Sequence, residues 1–410
     1  MLRWICTAVC ILFKLLIAMN PLPQPPFAVP CMYMRGGTSK GPFFKEADLP
    51  SDTATRDRVL LAIMGSPDKR QIDGLGGAHP LTSKVGIVRP STTQGVDLDF
   101  LFAQLQPDKD TVDTTPNCGN MLAAVVPFAL ASGMVKAQAD STTLRVLTLN
   151  TDMQCDITVQ TPMGSDGKRF VADQGEARID GAPGTSAPII INFLDTAGSV
   201  CSGLLPTGHV KDRVHVTPTD KHSGFEPFEI DVTCIDNGMP LVLFKASDMG
   251  RTGYESVDTL NADSELKTRI EALRLQVSLL MGLGDVSSKN YPKMTLIAAP
   301  VNGGALTTRS FIPHVCHDAI GVLAAVTVGT ACVLQGSVCE GVAVMQAGDH
   351  QALSVEHPTG EFSVALQTRT ALHLPGGHEV TQAALLRTAR LIMRGEAMVP
   401  ASVWNFGDKT

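Results

Sequence analysis

Along most of the chain, apolar residues come in short runs rich in β-branched side chains, separated by Gly, Pro, Asn or Asp. Val85 to Val88, Leu98 to Phe102, Leu144 to Leu149, Pro188 to Phe193, Leu241 to Phe244 and Thr295 to Ala299 all have this form and predict strands. Two segments break the pattern. Met121 to Ala131 is apolar on every side, and so is Ala319 to Leu334 apart from Thr327 and Thr330. A helix that is apolar all round has to be buried centrally. Gly133 and Gly336 are the expected stops, and Pro127 predicts a kink in the first helix.

Each of these two segments follows a polar turn that contains a cysteine, Asn117-Cys118-Gly119 in one and His314-Val315-Cys316-His317 in the other. The expectation is two halves of similar plan, each a bent sheet wrapped round one buried helix. Elsewhere Leu266, Ile270, Leu273, Val277 and Leu280 recur at helical spacing, with Lys267, Arg269 and Glu271 off the stripe. Val380 to Arg394 is expected to be a surface helix stopped by Gly395. The fold class is therefore α/β (α+β). The expected division is an extension over 1–26, a first domain over 27–205, a second over 206–400, and a tail over 401–410.

Composition narrows the function. The chain has 410 residues, 44% of them hydrophobic, 18% charged and 5% aromatic, with 37 Gly and 26 Pro. That suits a globular protein with many turns. A formal charge of -7 and few aromatics leave no basic or stacking surface for nucleic acid. The 10 cysteines show no CxxC and no zinc spacing, which reads as reduced thiols in a cytoplasmic protein. Met1 to Ala18 is apolar and interrupted by Lys14, so it resembles a weak signal segment or an upstream extension ahead of Met19. No other stretch is long and apolar enough to span a membrane.

Four segments carry candidate chemistry. Met34-Arg35-Gly36-Gly37-Thr38-Ser39-Lys40-Gly41 joins backbone freedom to cationic and hydroxyl donors, which suits a carboxylate or phosphate and equally a tight surface turn. Asp73 to Val85 is a glycine-rich loop that runs through Ser83 and leaves Lys84 at the mouth of a strand. A lysine beside an apolar surface loses hydration, which favours its neutral, basic form, although a solvated edge lysine is the commoner outcome. Asn117-Cys118-Gly119-Asn120 opens the first buried helix, where free N–H groups favour a thiolate or a bound carboxylate; a small packing residue is the alternative. Asn302-Gly303-Gly304, Arg309, Ser310, His314 and His317 offer a second glycine turn, an arginine and two imidazoles, to bind carboxylates or to cap and pack. There is no GxGxxG unit, GxSxG, HExxH or kinase set, so the chemistry expected is acid, base and anion binding.

The motifs MRGGTSKG, HPLTSKV, NCGNMLA, LPTG (Leu205 to Gly208), DNGMP (Asp236 to Pro240), FIPH (Phe311 to His314) and EHPTG (Glu356 to Gly360) occur in order from about Cys31 to Arg394. Together they resemble the PrpF family, most closely its 4-oxalomesaconate tautomerase and isomerase branch. The resemblance implies a diaminopimelate-epimerase-like fold of two pseudo-symmetric domains with the active site between them, and neither cofactor nor metal. It implies that Lys84 and Cys118 are the acid/base pair, which favours the catalytic reading of Lys84 over the edge lysine. Epimerase relatives carry a second catalytic cysteine; Cys316 lies near that place, but the motif there rests on its histidines. The expected substrate is a small polycarboxylate held by Arg35, Gly37, Thr38, Ser39, Ser83, Gly119, Asn120, Arg309, Ser310, His314 and His317. The expected reaction is a proton and double-bond shift in an unsaturated tricarboxylate, with no nucleic-acid or membrane partner and a homodimer allowed. The rivals are an aconitate or 2-methylaconitate isomerase of the same family and a catalytically silent carboxylate-binding protein.

Overall fold

The computed structural model describes residues 25–404 apart from 195, 220, 221 and 347. The apolar segment before Met19 and most of the tail lie outside the described residues. The first half holds β1 (Phe27–Gly36), β2 (Ser39–Lys45), β3 (Lys84–Pro90), β4 (Leu98–Leu105), β5 (Val112–Asp113), β6 (Ser141–Thr148), β7 (Met153–Gln160) and β8 (Ile189–Phe193). The second holds β9 (Asp212–Val216), β10 (Phe228–Asp236), β11 (Pro240–Lys245), β12 (Lys293–Ala298), β13 (Leu306–Phe311), β14 (His350–His357), β15 (Gly360–Thr370), β16 (His378–Arg387) and β17 (Ala389–Val399). The helices are α1 (Thr53–Met64), α2 (Gly119–Leu122), α3 (Val125–Ala131), α4 (Val257–Ala262), α5 (Ser264–Leu280) and α6 (Val322–Val333).

The strand pairing repeats. In the first half, β1 pairs antiparallel with β2, β2 parallel with β3, β3 antiparallel with β4, β4 parallel with β6, and β6, β7 and β8 follow antiparallel. Strands β10 to β16 repeat that series in the same order and sense. The equivalent strands β8 and β16 then pair with each other across the seam. Each half wraps its inner face round a buried helical segment, α2–α3 in one and α6 in the other, and the two segments share one apolar core. This is the bent-sheet, buried-helix arrangement expected of a diaminopimelate-epimerase-like fold. The outer faces carry α1 over β3 and β4, and α4 and α5 over β10 to β13.

Local sequence explains these helices. Pro127 cannot donate to Ala123, and the first buried helix breaks into two short pieces at Ala123 and Ala124. Gly133 and Gly336 take left-handed φ values of 71° and 84° just past the two helix ends. Asp52 and Asp263 cap α1 and α5. Leu266, Ile270, Leu273 and Val277 are buried as the stripe requires, whereas Leu280 at the helix end is 54% exposed. The two polar exceptions in α6 face a partner. Thr330 Oγ1 accepts from Asn237 Nδ2 at 2.8 Å, and Thr327 Oγ1 donates to the Asn237 or Met239 carbonyl. The Asp236-to-Pro240 turn is thereby fastened to the central helix.

Two expectations fail. Val380 to Arg394 is not a helix: it forms most of β16 and the start of β17. β16 is paired on both sides, by β15 and β8, and β17 lies along β1 with Gly395 opposite Cys31. Ala383 and Leu385 are buried in the inner core, and pairing plus burial outweigh the helix propensity of Ala and Leu. The second concerns the start of the apolar segment Ala319 to Leu334: α6 begins only at Val322, with Gly321 as its N-cap, so the turn from His314 to His317 stands apart from the helix. Phe311 bridges to Cys316, and Asn261 holds both the Cys316 N–H and its carbonyl, which ties that turn to α4.

Replacing Thr330 with valine keeps the volume but strands the buried Asn237 amide. Thr330→Val is expected to cost about 1–3 kcal/mol, read as a lower urea midpoint at unchanged slope.

Candidate active site

Lys84 and Cys118 meet although they come from separate elements. Lys84 is the first residue of β3, on the inner side of the sheet; Cys118 is the N-cap residue of α2. Lys84 Nζ donates to Cys118 Sγ at 3.3 Å, and each residue is 8% exposed. Lys84 Nζ lies 5.3 Å from the Phe102 ring centroid, within cation–π range. The N–S contact can carry one proton between an amine and a thiol, or its equivalent between an ammonium and a thiolate.

The lysine is set by the chain around it. A Cβ on Gly41 would overlap the Lys84 carbonyl oxygen, so glycine lets β2 approach β3 there. Ser83 is fully buried and its hydroxyl is engaged with Gln71 Oε1 at 2.8 Å and the His79 carbonyl at 2.9 Å. It therefore pins the glycine-rich loop that delivers Lys84 rather than presenting a donor. Gln104 Nε2 donates to the Pro80, Ser83 and Leu105 carbonyls and closes the same corner. On the cysteine side, Asn117 Oδ1 accepts the Cys118 N–H at 2.8 Å.

The first glycine loop packs directly on α2. Asn120 Nδ2 donates to Thr38 Oγ1 at 2.9 Å, and a Cβ on Gly37, whose φ is 53°, would overlap the Asn120 amide. Ser39 is buried, and its hydroxyl has no partner among the described residues. Arg35 Nη1 donates to the Gly37 carbonyl at 2.8 Å and to Thr388 Oγ1 at 2.9 Å. Burial, and then Arg390, push its pKa down. Thr388 also accepts the Gly37 N–H, so the end of β16 anchors the loop. The preceding residue, Arg387, is 3% exposed, stacks 4.5 Å over Phe362, and its Nε makes no hydrogen bond among the described residues. Burial pushes it down to about 10, so it stays charged at neutral pH. The sequence reading missed Arg387 because its signal is only an arginine at a strand end. Gly119, the first residue of α2, touches the start of α6: a Cβ there would lie 3.1 Å from Val322 Cγ2. The two buried helices thus begin beside one another.

The second-half candidates are placed differently. Arg309 shares the outer face of β13 with Phe311, which joins the α5 cluster. Its guanidinium is spent on the Glu255 and Thr308 carbonyls, each at 2.9 Å, and burial lowers its pKa. His314 is 55% exposed and lies 3.5 Å from Glu271 on α5. His317 is exposed, while its N–H donates to the Ser310 carbonyl. The Ser310 hydroxyl is buried against Thr295 at 2.9 Å. None of these four makes a hydrogen bond to Lys84 or Cys118. Cys316 is buried in the outer core, where burial, opposed by Arg309, pushes its thiol up to about 11.

The Asn302-Gly303-Gly304 turn does bind a carboxylate, but one of the chain's own. Glu356 is 3% exposed and accepts from the N–H groups of Val301, Asn302 and Gly304 and from Thr307 Oγ1, at 2.9, 2.7, 2.8 and 2.6 Å. Asp236 does the same for the Val200 and Cys201 N–H groups and Ser199. Among the described residues no group of three or more His, Cys, Asp or Glu is arranged to hold a metal, and no helix is long and apolar enough to cross a membrane. A cavity of about 1010 Å³ between α3 and β17 is lined by neither Lys84 nor Cys118.

Glu356→Gln keeps the shape and removes the charge; it is expected to cost about 2–4 kcal/mol in urea unfolding. Burial raises the Glu356 pKa, and the Thr307 and backbone bonds outweigh it, so the folded value falls below the ordinary 4.5. The stabilisation is therefore complete above the unfolded value and is lost as pH falls through the lower folded one. The wild-type minus Glu356→Gln difference should accordingly shrink in acid and stay flat near neutrality.

The comparisons with known proteins place the chain in a family. Residues 27–400 match the family model described as PrpF protein. A 4-oxalomesaconate tautomerase from Pseudomonas putida is 49% identical over 93% of this chain and 99% of its own. A (4E)-oxalomesaconate Delta-isomerase from Novosphingobium sp. is 52% identical over 91% and 98%. The crystal structure of a methylitaconate-delta-isomerase superposes with a TM-score of 0.76 at 34% identity, covering 93% of this chain and 97% of that one. With a family match over nearly all of its described length, this chain belongs to the PrpF family and is an isomerase.

Proposed function

We propose that the chain shifts a proton and a double bond along an unsaturated tricarboxylate without a cofactor, and that 4-oxalomesaconate is the substrate. The observation that carries this reading is the 3.3 Å contact between Lys84 Nζ and Cys118 Sγ on the inner side of the fold. The identity of relatives named for oxalomesaconate chemistry supports the choice of substrate over aconitate or 2-methylaconitate. A catalytically silent carboxylate binder would have no use for a sealed amine–thiol pair.

In this reading the Lys84 amine removes an allylic proton. The electron pair left on carbon spreads into the adjoining carbonyl or carboxylate as a dienolate. A proton returned by Lys84 or Cys118 at another carbon completes the shift. Arg35, Thr38, the free Ser39 hydroxyl, Asn120 and the first N–H groups of α2 would hold the carboxylates and the developing negative charge. α2 is too short for a large dipole, so these act as individual donors. Arg387, charged and with an open Nε, adds a cation beside the Thr388 anchor. Arg309 and His314, turned to the outer layer, have no place in the proposed contacts. The reading also carries a cytoplasmic location and allows a homodimer.

Lys84→Ala is expected to lower turnover of 4-oxalomesaconate about a hundred- to ten-thousandfold, followed by ultraviolet absorbance. Turnover near the wild-type value would remove Lys84 from the mechanism. Cys316→Ala is expected to leave turnover close to wild type, since that thiol is neutral at working pH and packed in the outer core; a loss matching that of Lys84→Ala would show that the second-half cysteine reaches the substrate.

A further inference from the structure

The cavity between α3 and β17, about 1010 Å³ in volume, lies outside the Lys84–Cys118 site, and local sequence builds its walls. Gly133, with a φ of 71°, ends α3, and the Val135 N–H turns back to the Ala129 carbonyl, which leaves Lys136 at the rim. After β7, Met163 bridges to Arg169, and the Gly164 N–H bonds the Lys168 carbonyl at 2.8 Å across Gly167, whose φ is 72°. That small hairpin brings Lys168, Arg169 and Phe170 to the cavity. On β17 the register slips at Ile392, with Met393 opposite Tyr33 and Leu391 opposite Met34. Leu391 therefore faces the cavity together with Met34.

The floor is apolar: Met34 and Ile189 are buried, and Pro127 and Leu130 of α3 join them. The mouth is apolar too, with Phe170 and Leu391 exposed. The rim is cationic. Lys136, Lys168, Arg169, Arg390 and Arg394 stand against one acid, Asp173, although the whole chain carries 33 basic and 40 acidic side chains. Two of the five are engaged, Arg169 with Asp140 and the Thr161 carbonyl, and Arg394 with the Ala131 carbonyl. The side chains of Lys136, Lys168 and Arg390 make no hydrogen bond or ion pair with other described residues. Arg390 also stands opposite Arg35 in the β1–β17 ladder, where like charges repel. A helix end ordinarily disfavours anions, but two carbonyls at the end of α3 are already taken, Ala131 by Arg394 and Ser132 by Lys45.

We infer that this cavity is a second ligand site, for a single carboxylate carried on an apolar body such as an aromatic ring system. The inference is independent of the reaction assigned to Lys84 and Cys118. Small-molecule pockets run to roughly 1,000 Å³, so the volume suits a ligand of that kind. The apolar body lies against Pro127, Leu130 and Leu391, and the carboxylate meets the free cations of the rim. A carboxylate at Arg390 also offsets the repulsion between Arg390 and Arg35. A polycarboxylate fits poorly, because it has to press charged groups against the apolar floor and strip their water. The rim likewise rejects apolar partners that are themselves basic. The chain's own segment Met1 to Ala18 carries only Arg3 and Lys14 as charges, and a second copy bringing the same face would set cation against cation.

The test titrates the full chain with naphthalene-2-carboxylate, with its neutral carboxamide and with citrate, by calorimetry. Wild type is expected to bind the carboxylate at one site and the carboxamide about tenfold more weakly, since more than one rim cation acts on the charge. Citrate is expected not to displace the carboxylate. Arg390→Gln is expected to weaken the carboxylate about two- to fivefold and to leave the carboxamide unchanged. Leu391→Glu, at an exposed position, is expected to weaken both at least about tenfold with an unchanged melting temperature. Lys84→Met is expected to bind as wild type does. Equal affinity for the carboxylate and the carboxamide overturns the inference, because the rim then plays no part. So does displacement by citrate, or loss of binding in Lys84→Met, either of which puts the ligand in the active site. Absence of binding to wild type overturns it as well. In that case a dimer that Leu391→Glu makes monomeric assigns the cavity to a second copy, and binding regained by a chain starting at Met19 assigns it to residues 1–18.

Discussion

The architecture turns on one contact, between an amine delivered by a strand and a thiol delivered by a helix start. A polar group nearly closed off from water is costly unless it has partners. Here the partners of the Lys84 nitrogen are the Cys118 sulfur and the face of Phe102. Neither partner can be moved separately. Gly41 must let β2 press on the Lys84 backbone, and Gly37 must let the first loop dock on Asn120. The chemistry is thus built from backbone proximity as much as from side chains, which is why glycines crowd the neighbouring motifs.

A second theme is the use of internal carboxylates to finish polar turns. Glu356 fills the Asn302–Gly304 turn and Asp236 fills the turn at Ser199 to Cys201. Both turns have the donors of an anion site and neither has them free. The open donors remain on the other side, at Ser39 and Arg387. A glycine-rich turn in sequence therefore says that N–H groups converge, and the presence of a buried acid elsewhere in the chain decides whether a ligand can use them.

Much of this was legible beforehand. The short β-branched runs became strands, the two uniformly apolar segments became the buried helices, and Pro127 broke the first of them. Lys84 and Cys118 stood out by residue type and position, although only the family resemblance tipped Lys84 towards chemistry. The failures have a common cause. Val380 to Arg394 reads as helix because Ala and Leu dominate it, and its strand character comes from pairing partners distant in sequence. His314 and Arg309 looked like ligand groups; strand alternation turns Arg309 outward, and the turn after β13 carries His314 to Glu271 on α5.

The pairing of β8 with β16 has a further consequence. Since the two strands are counterparts, the seam has the self-complementary form of an isologous dimer interface, the kind one half could make with a second copy of itself. Tethering both copies in one polypeptide removes the demand that they be identical. Each side of the junction can then drift in its own direction, so that one keeps a thiol where the other has only a hydrogen atom, and an asymmetric substrate can be met by an asymmetric pair of walls on a symmetric frame.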